Sequence, residues 1–119
     1  MASVIHQVME QQAEYTVFHL FPGKPRRDFV YIKDVASATV LAATNDDIPN
    51  GSYDVGTGEA RLFEDICDII KIPYTYVDKN LIPKFYQYYT CADTNKFLPG
   101  WKPKYNLETG IADYALSKR

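Results

Sequence analysis

Gly23-Lys24-Pro25-Arg26-Arg27-Asp28-Phe29-Val30-Tyr31-Ile32-Lys33-Asp34-Val35 puts three cations on a turn, follows them with a short apolar run, and ends at a carboxylate positioned to start a helix. Pro22 and Pro25 restrict the turn, which lowers the entropy lost in presenting cations. Arginine's planar fork suits bidentate contact with phosphate or carboxylate. The stretch therefore reads as an anion site, with phosphate as the leading ligand, beside a strand–helix scaffold. The competing reading is a solvated basic turn in which Asp28 neutralises Arg26 or Arg27.

Size and composition bound what surrounds that turn. A chain of 119 residues fits one small domain, 1–119. It can bury roughly two thirds of its unfolded surface. Apolar content of 46% and charged content of 24% are those of a globular protein, not a disordered one. The net charge of −2 gives no reason to expect a nucleic-acid partner, so the basic turn is a local feature suited to a small anion. The two cysteines, Cys67 and Cys91, lack metal-like spacing, and Cys67 reads as a buried free thiol. No run reaches membrane-spanning length and no signal pattern opens the chain. A cytoplasmic setting with no membrane partner is the resulting expectation.

Along the chain, Val4, Ile5, Val8 and Met9 predict an amphipathic helix over about 2–13. Glu14 to Phe21 reads as a short strand, and Phe29 to Ile32 as a second. Asp34 is the expected N-cap of a helix over Val35 to Thr44, apolar almost all round and so expected to pack on more than one side. Ser52 to Gly56 reads as a strand leading into Gly56-Thr57-Gly58. Leu62, Phe63, Ile66, Cys67, Ile69 and Ile70 form one helix face, with Glu64, Asp65 and Asp68 expected opposite and Pro73 as the stop. Tyr74 to Val77 is a β-type run, Leu81 to Thr90 is irregular and aromatic, Asp93 caps a short helix through Leu98, and Asn106 caps a final helix from Leu107. Glu108 near the start of that helix and Lys118 and Arg119 at its end suit its dipole. So few and such short strands do not make an independent doubly wound sheet, so the fold class is α+β.

The remaining motifs are weaker. Gly56-Thr57-Gly58 lacks the third glycine of a dinucleotide fingerprint and the Gly-Lys-Ser/Thr ending of a P-loop, so it reads as a tight strand-to-helix turn. Tyr114 and Lys118 satisfy Tyr-x-x-x-Lys but sit at the chain's last turns with no upstream nucleotide loop, and are taken as non-catalytic i,i+4 neighbours. His6 and His19 lack a third ligand, so no metal site is expected. Tyr86, Gln87, Tyr88 and Tyr89 offer hydroxyl and amide groups on a loop, either to a sugar or phosphate pocket or to a domain edge.

Arg27 to Val35, followed by Tyr53-Asp54-Val55-Gly56-Thr57-Gly58, resembles the C-terminal half of the extended short-chain dehydrogenase/reductases, the epimerases and dehydratases of nucleotide sugars. Met1 to Val4, Tyr86-Gln87 and Thr90 to Asp93 narrow the resemblance to the ADP-L-glycero-D-manno-heptose 6-epimerases. It implies a small substrate-binding domain without a complete Rossmann domain. It also implies NADP (or NAD) in the complete enzyme but no cofactor bound by this chain alone. The family's catalytic tyrosine and lysines would lie upstream of the point that Met1 matches, so no catalytic residue is expected here.

By position, the resemblance makes Arg27 the substrate-binding arginine near a diphosphate and Tyr86 a substrate-contacting tyrosine. Phe18, His19, Leu20 and Phe21 fall on a substrate loop whose usual glycine and serine are missing. Gln7 matches a substrate histidine, with His6 one place off, and Phe85 replaces the arginine that usually precedes the tyrosine. The implied partners are a sugar nucleotide and either a Rossmann half or a second copy of the chain. The alternative functions are a non-catalytic sugar-nucleotide-binding or self-associating domain, or part of another nucleotide-sugar epimerase or dehydratase.

Overall fold

A computed structural model describes residues 2–13 and 17–117. Glu14 to Thr16, Lys118 and Arg119 lie outside the described residues, and with them the start of the first expected strand, the Tyr114/Lys118 pair and the basic end of the last helix. The chain divides into two compact units: Met1–Arg27 with Ala60–Thr90, and Asp28–Glu59 with Cys91–Arg119.

The first unit begins with α1, Ala2–Ala13, as its apolar spacing predicts. Ile5 and Val8, at i and i+3, are its buried positions. They share a core with α3, Phe63–Ile70, which buries Ile66, Cys67 and Ile70. Gln12 Nε2 donates to the carbonyl of Ile70, at the end of α3, at 2.6 Å. The helix stops at Lys71, two residues before Pro73. Lys71 takes a left-handed conformation (φ 66°), and Ile72 N–H reaches back to Cys67 O at 3.0 Å. This 6→1 bond is a Schellman-type end with lysine where glycine is usual.

Two short sheets complete the unit. β1, Phe18–Leu20, runs parallel to β4, Tyr74–Tyr76, with Phe18 opposite Tyr74. β2, Arg26–Arg27, lies antiparallel to β3, Arg61–Leu62. Arg26 and Arg27 are therefore on a strand while Lys24 stays on the turn, and the expected strand at Phe29 to Ile32 is absent. Tyr88 and Thr90 hold the other side of β2, through Arg26 N–H to Tyr88 O at 2.8 Å and Thr90 N–H to Arg26 O at 3.2 Å. The rest of the Leu81 to Thr90 segment has no regular element beyond a 3₁₀ turn at Lys79–Leu81.

In the second unit α2 spans Ile32–Thr44, starting three residues earlier than expected, with Tyr31 as N-cap and no side-chain capping bond. Asp34 is not the cap. It is 1% exposed, and its two oxygens accept the N–H groups of Lys104 and Tyr105 at 2.9 and 3.0 Å. A long-range charge-assisted pair of bonds outcompetes a local cap here. Among the described residues α2 buries one face, not more than one as expected. Ala38 is buried with Leu98 and Trp101, whereas Ile32 and Val40 are each 61% exposed. Trp101 Nε1 donates to Ser37 Oγ at 2.9 Å, which satisfies the buried indole.

Ser52 to Gly56 reduces to a single bridge between Asp54 and Phe97. Asp93 accepts from Asn95 N–H at 2.9 Å and caps a 3₁₀ turn, Thr94–Lys96. α4, Leu107–Ser117, opens as expected at Asn106, whose Oδ1 accepts Thr109 N–H at 2.8 Å while Thr109 Oγ1 accepts Asn106 N–H at 2.9 Å. Beside it, Asp113 accepts both the Tyr31 hydroxyl (2.6 Å) and Lys33 Nζ (2.7 Å). Burial, and then this bond, push the Tyr31 hydroxyl up to about 12.

Candidate functional site

The basic turn separates its three cations by giving each a different neighbour. Gly23 and Lys24 both have positive φ (92° and 52°), which bends the chain sharply between the two prolines. A Cβ on Gly23 would sit 2.9 Å from Tyr88 Cε1, so the position needs glycine for both reasons. Lys24 Nζ then lies 3.8 Å from Glu64 Oε2. Glu64, expected on an exposed face, is 3% exposed and also accepts the Tyr76 hydroxyl at 3.1 Å. Arg26 stays exposed on its strand.

Arg27 is treated differently. Its Cζ lies 5.0 Å from the centroid of the Tyr86 ring and 5.9 Å from that of Phe63. Tyr86 is itself braced by edge-on contacts with Phe21 (4.9 Å) and Tyr88 (5.3 Å). Nη1 donates to Arg26 O at 3.0 Å, and no carboxylate pairs with this guanidinium among the described residues. Arg61, its cross-strand neighbour, is neutralised by Asp65 at 3.2 Å, which removes the penalty of two like charges opposite one another.

Asp28 does not neutralise Arg26 or Arg27. Its oxygens accept Thr57 N–H (2.9 Å), Thr57 Oγ1 (2.6 Å), Gly58 N–H (2.8 Å) and Ala92 N–H (3.2 Å). A Cβ on Gly56 would fall 2.6 Å from Asp28 Oδ2. The Gly56-Thr57-Gly58 turn does cradle an anion, but that anion is a side chain of the protein. Its N–H groups therefore do not fit the pyrophosphate of a nicotinamide cofactor.

Beside Arg27's rings is a cavity of about 190 Å³. Its walls include Gln7 of α1, Phe18 and His19 of β1, Phe21, Tyr86 and Phe63. Five of the six expected site residues thus share one cavity, and the sixth, Arg27, stacks on two of its walls without lining it. His6 faces elsewhere, paired with Glu10 at 3.2 Å. Phe63 was expected only as helix core. No signal in the sequence joined its ring to Arg27, because the β2–β3 pairing that brings them together is set by the fold. The second unit holds a larger groove of about 480 Å³ lined by Ala38, Thr39, Ala42, Tyr53, Val55 and Leu98. No charged side chain lines it. Among the described residues no cluster of three His, Cys, Asp or Glu forms a metal site, and no helix is long and apolar enough to cross a membrane.

The model of the NAD dependent epimerase/dehydratase family matches residues 1–56. An ADP-L-glycero-D-manno-heptose-6-epimerase of Fusobacterium nucleatum is 32% identical over 137 residues, spanning 96% of this chain and 41% of that protein. The chain belongs to the extended short-chain dehydrogenase/reductases. Among solved structures of such enzymes, the Helicobacter pylori ADP-L-glycero-D-manno-heptose-6-epimerase superposes with a TM-score of 0.74 at 31% identity, covering 97% of this chain and 37% of that one. The Bacillus cereus UDP-glucuronic acid 4-epimerase, solved with UDP-glucuronic acid and NAD, gives 0.80 at 23% identity, covering 98% and 40%, a likeness of fold alone. The chain spans about two fifths of the length of the heptose-epimerase relatives. Resemblance to this epimerase/dehydratase family, drawn above from the arginine-led motif, therefore holds, as does the coarse class of mixed helix and strand.

Proposed function

We propose that residues 1–119 supply the substrate-binding part of an NAD(P)-dependent nucleotide-sugar epimerase of the ADP-glycero-manno-heptose 6-epimerase type. Arg27 contacts the ligand diphosphate, and Tyr86, Gln7, Phe18, His19 and Phe21 surround the ligand. One observation carries the reading: residues far apart in sequence, expected at a sugar-nucleotide site, line or flank one cavity, beside an arginine with no carboxylate partner among the described residues. The cofactor and the catalytic tyrosine and lysine belong to a Rossmann half outside residues 1–119. That half, or a second copy of the chain, covers the exposed face of α2, where Ile32 and Val40 stand in water.

Titration calorimetry of the 119-residue chain with ADP-glycero-manno-heptose, ADP-glucose and UDP-glucose tests the binding. Adding a separately produced nucleotide-binding half should tighten it and restore turnover with NADP. Equal binding of the ADP and UDP sugars would leave the diphosphate reading but remove the heptose class. Turnover by this chain alone with cofactor would overturn the division of labour. Light scattering showing a strict monomer, with no hydrophobic-dye binding, would remove self-association.

A further inference from the structure

We propose that Phe63 is a positioning residue for the Arg27 guanidinium, holding it against the Tyr86 side of the cavity before ligand arrives. The proposal rests on the reading of Arg27 as the diphosphate-binding group. Phe63 opens α3 directly after β3, and the β2–β3 register sets Arg26 opposite Leu62 and Arg27 opposite Arg61. The same strand pair that presents Arg27 therefore also fixes the ring that it meets. The guanidinium carbon is 5.9 Å from that ring and 5.0 Å from Tyr86.

Chemistry explains why rings are used. An arginine side chain carries about 2 kcal/mol of rotamer entropy, which a ligand must otherwise overcome on binding. A carboxylate would order the side chain but would also occupy its N–H donors and cancel its charge, as Asp65 does for Arg61. An aromatic face restrains the cation while leaving the donor edge for a bidentate phosphate contact. Arg27 accordingly spends a hydrogen bond on one backbone carbonyl, that of Arg26, and none on a carboxylate among the described residues. Tyr86 alone does not fix the guanidinium, because a single ring leaves rotation about the side chain open. Phe63 supplies the second restraint.

The test compares Phe63→Leu, which keeps an apolar wall but loses the ring quadrupole, with Phe63→Tyr, which keeps it. In the full chain, Phe63→Leu should weaken ADP-glucose binding about two- to fivefold, the equivalent of an exposed cation–π contact. Phe63→Tyr should bind as the parent does. In an Arg27→Ala background, Phe63→Leu should cause no further loss. An equal loss in both backgrounds would make Phe63 a ligand contact or mere packing, and would overturn the proposal. A second readout needs no ligand. NMR of the parent chain should show Arg27 side-chain protons shifted upfield by ring currents, with cross-relaxation to Phe63 protons, and the shift should move in Phe63→Leu but not in Phe63→Tyr. Absence of that cross-relaxation overturns the proposal even if the variants fail to fold. If Arg27→Ala binds as tightly as the parent while the NMR signature is present, the diphosphate reading fails and Phe63's hold on Arg27 stands.

Discussion

Arg27 and Asp28 are consecutive residues of opposite charge, and their surroundings could hardly differ more. Asp28 is fully engaged, its carboxylate gripped by three backbone N–H groups and a threonine hydroxyl. Arg27 rests on two aromatic rings and one carbonyl, its charge not cancelled by any carboxylate among the described residues. One charge has been used to build structure. The other has been ordered and left available. The contrast teaches that a charge pattern in sequence does not reveal function until each charge's local partners are known.

The largest effect should come from removing the structural charge. Asp28→Ala strands several partly buried N–H donors and should lower stability by about 3 kcal/mol. Asp28→Asn, which keeps one acceptor oxygen, should recover part of that. Urea midpoints measure both, and a loss under about 1 kcal/mol would erase the contrast. Arg27→Ala should do the reverse, costing about 1.5–3 kcal/mol of sugar-nucleotide affinity through a lost charged hydrogen bond. Its effect on the urea midpoint should correspond to less than about 1 kcal/mol. Unchanged affinity in calorimetry would remove Arg27 from the site.

A smaller effect separates the second unit's structural charges by pH. The Tyr31 hydroxyl is raised from 10.0 to about 12 by burial and then by its bond to Asp113, so its contribution is complete below pH 10 and disappears as pH rises through 10 toward 12. Tyr31→Phe should therefore flatten the alkaline loss of stability over that window. Asp113 is held below its ordinary 3.8 by Lys33 first and Tyr31 second, so its contribution is present above that value and lost as pH falls below it. Asp113→Asn should flatten the acid limb. Denaturant midpoints across pH detect either change, and parallel curves for parent and variant would disprove it. The slightest consequence concerns thiols. Cys67 is fully buried, and burial raises its thiol to about 11, so native-state labelling should be confined to Cys91, with Cys67 reacting only in denaturant. Rapid native labelling at Cys67 would show that the α1–α3 core opens readily.

Local physics was readable where it was not contested. Val4, Ile5, Val8 and Met9 repeat at helical spacing and gave α1; Asn106 and Asp93 each met their own backbone three or two residues on and gave two caps. The α+β class followed from the few, short strands, whereas Gln7, Phe18, His19, Phe21 and Tyr86 were named only through resemblance, since no local signal joins them. Asp34 and Glu64 were misjudged for one shared reason. Asp34 looks like a local helix cap and Glu64 like a helix-surface acid in sequence, yet each is buried where a distant segment supplies donors, Lys104 and Tyr105 for one and Tyr76 for the other.

The sequence by itself thus determined which segments became helices, where two of them were capped, that Cys67 was buried, and that a basic turn stood before an apolar run. The tertiary structure alone decided how the charges were spent. It placed Asp28 in the glycine turn, Lys24 beside Glu64, and Arg27 between Phe63 and Tyr86. Helix spacing and capping act within a few residues, so they are written locally. A charge takes whichever partner the fold brings within about 4 Å, and such partners lay dozens of positions away.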